Sequence, residues 1–327
     1  MPLNLDSATR CGDLLCVESE GFLVITSARA QLTDAGWQIS LATLREHTEL
    51  SALVVSQTTD LLGAIFAETW TALPNRLASL AIQPPAATCL VARSGDAIQR
   101  ALRHASDTPQ FSFWHCLVDL AKGDTRIAVR QATDEQFVSS PTNIAEDWLP
   151  ELLSSPPRRE LDWLFGELKL ARLTDLCGDV VSSADATAVL AGLWLLHGDA
   201  DASHRQSQSI EDEGRHRCGN FWHAIMHCQE PDYSNSKYWF RRVGQHPIFP
   251  ELARRADELI LADGSQPARR WRAKLGTPNR WDSSAFVDWC EAAGREGDAP
   301  QIQLIRRIQF VEMHLLLRAS FEDATRS

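Results

Sequence analysis

Every stretch with the length and β-branched content of a strand lies before residue 132 of this chain, and none follows. The runs are 21–26 (GFLVIT), 37–41 (WQISL), 52–56 (ALVVS), 88–93 (TCLVAR) and 126–130 (RIAVR), each read as a strand from composition and length. Helical patterns lie between them, one over 58–73 behind a Thr58 or Thr59 cap and a shorter one over 95–104. A sheet, if there is one, must be built from this part alone. The expectation is an α/β layer domain over 13–135, with 1–12 as a loose terminus. Residues 136–158 lie in a stretch rich in Ser, Pro and acids and read as a linker. Helical periodicity then takes over at 159–173, 184–197, 209–229, 235–243, 251–262, 283–293 and 300–320. The predicted class is α+β overall: a small α/β N-terminal domain followed by an all-α helical C-terminal domain over 159–327.

Composition narrows the function classes. A formal net charge of −11 argues against a chain-wide grip on nucleic acid or anionic lipid. There is no GxGxxG, GxxxxGK[ST] or GxSxG word, so no phosphate loop or nucleophile elbow is predicted. Ser94, Gly95 and Asp96 stand between a predicted strand and helix, where a plain helix cap explains them. The eight cysteines include no CxxC pair and read as reduced, mostly buried thiols. The first residues lack the basic and apolar segments of a leader, and the longest apolar stretch, 188–196, is too short to span a bilayer. A cytoplasmic protein without a membrane segment is expected.

The chemistry-bearing residues concentrate at 197–246, which holds six of the ten histidines. With 209–229 as one helix, Ser209 and Asp212 form a capping box, and Gly214 and Gly219 fall in its interior. At 100° per residue, His216, Asn220, His223 and His227 then share a stripe of ~60°. His223 and His227 are candidate catalytic residues or, with His204, Glu213 or His216 as third ligand and His204 foremost, candidate ligands of a divalent metal. The metalloprotease word is not formed, because Ala224 follows His223 where that word needs Glu. Hydrogen-bonded histidines facing solvent or a neighbouring helix are the competing reading. Next along the chain, Lys237 and Arg241 are four apart and suit a carboxylate or phosphate, with Arg242 beside them. Between 237 and 280 there are ten Lys or Arg against four acids. Nucleic-acid binding through 254–280 is nevertheless disfavoured, because aromatics are not interleaved for base stacking.

At WHAIMH (222–227) and SKYWFRRVGQHP (236–247) the chain resembles an uncharacterised protein family that carries a WHAIMH-type segment followed by DYSN and KYWFRRVG-type segments. The resemblance covers roughly 195–250 and extends more faintly to WDSSAFVDWCEAA (281–293). It implies that the segment is a family signature and brings no activity with it. The expected function is binding, with or without metal-assisted turnover, of a small anionic molecule in a cleft lined by His204, Asn220, His223, His227, Lys237, Arg241 and Arg242. The alternative is a non-enzymatic interaction or scaffold protein using the same surface.

Overall fold

Three short antiparallel strands open the chain: β1 (Thr9–Cys11), β2 (Leu14–Ser19) and β3 (Phe22–Ser27). Gly21, at φ +79°, closes the β2–β3 turn in a conformation that other residues adopt at a cost. These elements belong to a computed structural model that describes residues 9–11, 14–19, 21–27, 30–57, 61–83, 88–93, 112–122, 125–133, 135–139, 148–276 and 280–326. The chain splits into two units, Met1–Trp148 and Leu149–Ser327.

The first unit continues with β4 (Ala30–Leu32), α1 (Asp34–Glu46), β5 (Ala52–Gln57), α2 (Leu61–Ala72), α3 (Asn75–Ala81), β6 (Thr88–Arg93), α4 (Ser112–Leu120), β7 (Ile127–Ala132) and β8 (Phe137–Ser139). Its main sheet has the order β1-β2-β3-β6-β5-β7, antiparallel except for the parallel pair β5–β7, and β4 pairs with β8 in a second ladder. The predicted strands at 21–26, 52–56, 88–93 and 126–130 are all present. The one at 37–41 is not, because those residues lie inside α1. WQISL alternates apolar and polar residues, but the buried set Trp37, Leu41 and Leu44 has helical spacing. Thr33 caps the helix, accepting from the Gly36 N–H at 3.2 Å. These side chains pack with Val24, Val55 and Val91 of the sheet. β1 lies in the stretch read as a terminus, and β8 in the stretch read as linker. The predicted helix at 95–104, with Ser94, Gly95 and Asp96, lies outside the described residues.

Among the described residues the second unit has no strand. After a 3-10 turn at Arg159–Leu161 come α5 (Asp162–Leu170), α6 (Leu173–Cys177), α7 (Ser183–Leu196), α8 (Ala200–Gln208), α9 (Cys218–Gln229), α10 (Tyr233–Val243), α11 (Phe249–Asp263), α12 (Gln266–Leu275), α13 (Ser283–Glu296) and α14 (Ala299–Thr325). The chain is therefore α+β, an α/β half followed by an all-helical half. No helix among the described residues is long and apolar enough to cross a membrane.

The predicted helix over 209–229 is two elements. α8 ends at Gln208 and α9 begins at Cys218, with Asp212 (φ 59°), Gly214 (φ 82°) and Arg217 (φ 54°) left-handed between them. Successive left-handed residues cannot continue a right-handed helix. The Ser209–Asp212 capping box does not form either. The Ser209 hydroxyl donates back to the Gln206 carbonyl at 2.7 Å, and Asp212 is instead held by Asn220.

Candidate functional site

Helix α9, CGNFWHAIMHCQ, is buried along its whole length, packed against α7, α8, α10 and α14. Phe221, Trp222, Ile225 and Met226 account for that burial by the apolar area they remove from water. Gly192 of α7 sits directly on the Trp222 indole, where any side chain would collide. The same packing carries His223 and His227 inside.

Their rings stack at 4.7 Å, and His204 of α8 leans over both, with centroid distances of 4.7 Å to His223 and 5.5 Å to His227. Trp239 of α10 stacks on His223 at 4.1 Å. One ligand atom from each of the three histidines lies within 4.8 Å of the others. His223 is 2% exposed, and neither of its ring nitrogens has a hydrogen-bond partner among the described residues. An unmet buried donor or acceptor costs about 1–3 kcal/mol. Burial, reinforced by the neighbouring His227 and His204, pushes the His223 pKa down to about 3, which leaves a neutral ring with a free lone pair. Burial also lowers the His227 pKa, against the opposing pull of Glu230, whose carboxylate lies 3.4 Å from His227 Nδ1. The Asn235 amide stands 3.0 Å from His227 Nε2 and orients that ring.

The other predicted site residues are placed elsewhere. His216 precedes α9, outside the expected stripe, and its Nδ1 lies 2.7 Å from the Asp323 carboxylate. Asn220 is a clip: it accepts from the Asp212 N–H at 2.9 Å and donates to the Asp212 carboxylate at 2.7 Å. Lys237 pairs with Asp288 of α13. Arg242 pairs with Glu211 and Asp212 while its guanidinium covers the Trp239 ring. Arg241 is exposed and has no ion pair among the described residues. Two residues are ~200° apart on a helix, so Lys237 and Arg241 project away from the side on which Trp239 meets His223. That corrects the expectation that these two cations line the histidine site. Asn235, Trp239 and Arg242 occupy the histidine side of α10.

The basic excess at 254–280 is partly neutralised within the unit: Arg254 pairs with Glu251 and Glu258, Arg255 with Glu251, and Arg272 with Asp257. Gly214 is not interior to a helix, and Gly219 lies against Ile210 in the first turn of α9.

Sequence reasoning missed a second buried cluster, Asp185, Cys218 and Asp323, whose ligand atoms also lie within 4.8 Å of one another. The available signal was an acid inside an apolar helix, Asp185 in SADATAVLAGLWLL. Its partners come from positions 33 and 138 residues further along the chain, so spacing could not join them. Compared with protein-family models, curated proteins and solved structures, the chain matches none.

Proposed function

We propose that the helical unit binds a divalent transition-metal ion of the zinc type through His204, His223 and His227, and that the open coordination position takes a small anionic ligand. The observation that carries this reading is His223: a neutral, buried imidazole whose two nitrogens both lack a partner, packed between residues that supply two further imidazoles. Three neutral nitrogens about 2.0–2.1 Å from an ion, with a fourth position left to water, is the donor set of catalytic rather than structural zinc sites. Such an ion lowers the pKa of its bound water and polarises a carbonyl or phosphoryl oxygen. His223 and His227 would then act through the ion as ligands rather than as proton carriers. Glu230 lies 3.4 Å from His227, and Arg242 covers the Trp239 ring that stacks on His223. Asn235 supplies the outer hydrogen bond that fixes a ligating imidazole.

The test is the metal content of the full chain purified without chelator. His223→Ala and His227→Ala should each lose one equivalent of zinc per chain relative to the parent, and zinc should raise the melting temperature of the parent more than that of either variant. Equal metal content in parent and both variants would remove the reading.

A further inference from the structure

The three-histidine group has a carboxylate at its edge. Glu230 ends α9, its N–H donating to the Met226 carbonyl at 3.0 Å. Three residues on from His227, its side chain shares a helix face with that ring, and Glu230 Oε2 lies 3.4 Å from His227 Nδ1. The two atoms are close without being bonded. Nδ1 has no hydrogen-bond partner among the described residues, and Glu230 has no Lys or Arg partner there either. The other nitrogen of the same ring, Nε2, is engaged by Asn235 at 3.0 Å.

These distances fit an ion between the two groups. In a tetrahedral site with bonds of about 2.0–2.1 Å, neighbouring ligand atoms stand about 3.3–3.4 Å apart, and the Nδ1 to Oε2 distance is such an edge. Because Asn235 holds Nε2, Nδ1 is the atom of His227 left to ligate. As placed, Asn235 Nδ2 donates to Nε2 and the ring hydrogen sits on Nδ1. When an ion binds Nδ1, that hydrogen passes to Nε2, where the Asn235 amide, turned over, accepts it through Oδ1. The ring stays neutral, and the amide becomes the outer partner that fixes it.

We infer that Glu230 is the fourth ligand of the ion at rest and gives up that position to the small anion the site takes. This rests on the three-histidine reading and goes beyond it, because the position left there to water is held by a group of the chain itself. His223 and His227 are buried, but the Glu230 side chain is 35% exposed, so its carboxylate can swing into solvent without disturbing α9. A carboxylate already on the ion selects against weak donors: to displace it, an incoming ligand must itself be anionic, such as a carboxylate or a phosphate.

Cobalt reports its ligands through its visible absorption, and azide serves as the anion. The full chain should bind one Co²⁺ both in the parent and in Glu230→Gln. Their azide-free spectra should differ, because the variant offers no carboxylate, and their azide-saturated spectra should coincide, because the carboxylate has then left the parent. If Glu230 fills the position for about nine-tenths of the time, azide should bind the variant roughly ten-fold more tightly. Identical azide-free spectra overturn the proposal whatever the azide affinities, since a nearby charge that does not ligate would shift affinity and leave the ligand set unchanged. Azide-saturated spectra that remain different overturn it as well, because the carboxylate then stays in place. Either result leaves the three-histidine centre standing. A parent that binds no Co²⁺, or a His223→Ala variant that binds as much as the parent, removes the centre itself and the proposal with it.

Discussion

Glu312 of α14 is a carboxyl group inside the helical core, 2% exposed, with Oε1 lacking a hydrogen-bond partner among the described residues. Burial pushes its pKa from the ordinary 4.5 up to about 8. The folded protein therefore keeps a proton that the unfolded chain gives up between pH 4.5 and about 8. Its contribution to stability is whole below that window and is lost as pH rises through it. Glu312→Gln keeps the shape and removes the proton, so its melting temperature should gain on the parent as pH is raised from 5 to 8 and hold a constant lead above that. Parallel curves for the two proteins would show that Glu312 is ionised in the fold. Gly214 poses the complementary steric case. Its φ of +82° and its contact with Asp185 leave no room for Cβ, so Gly214→Ala should destabilise by more than the 1–2 kcal/mol that left-handed backbone alone costs. Chemical denaturation of the variant checks this.

Elements were legible where one period dominated a whole run. TCLVAR and ALVVS are buried strands whose β-branched and apolar residues admit little else. The helix at 34–46 was hidden because its central residues, WQISL, fit both periods and only Leu44 beyond them breaks the tie. The error at 209–229 has a different origin. Ser209 followed by three acids is a good helix start in isolation, but the Asp212–Asn220 clip and the grip of Asp185 on the 214–215 backbone are tertiary contacts that override it. Replacing Asn220 by Ala should release that turn: an Asn220→Ala variant should lose about 0.5–1.5 kcal/mol of stability for each of the two hydrogen bonds to Asp212 that it removes. The candidate site was legible to the same degree. Local spacing brings His223 and His227 to one face of one helix, and His204 lies beside them because its helix is close in sequence. The expected anion contacts failed because face assignments on α10 depend on which side meets Trp239, and the Asp185–Cys218–Asp323 group was invisible because its members are joined only by the fold.

At the scale of the whole molecule, the chain splits into two compact units at residue 148, inside the stretch read from sequence as linker. Limited proteolysis is expected to cut between 132 and 158 and to leave a C-terminal fragment whose far-ultraviolet circular dichroism is that of helix alone; cuts spread evenly through 160–320 would contradict it. Within that fragment, α9 differs from its neighbours in having no residue at the surface from Cys218 to Gln229. A helix enclosed on every side has no route to partial opening that leaves its surroundings intact. Its amide protons should consequently be the last to exchange with deuterium, at the rate of global unfolding. The same enclosure sets the clock for anything held by His223 or His227: a chelator should strip it at a rate that stops rising with chelator concentration, because the slow step is the protein letting go of its own centre.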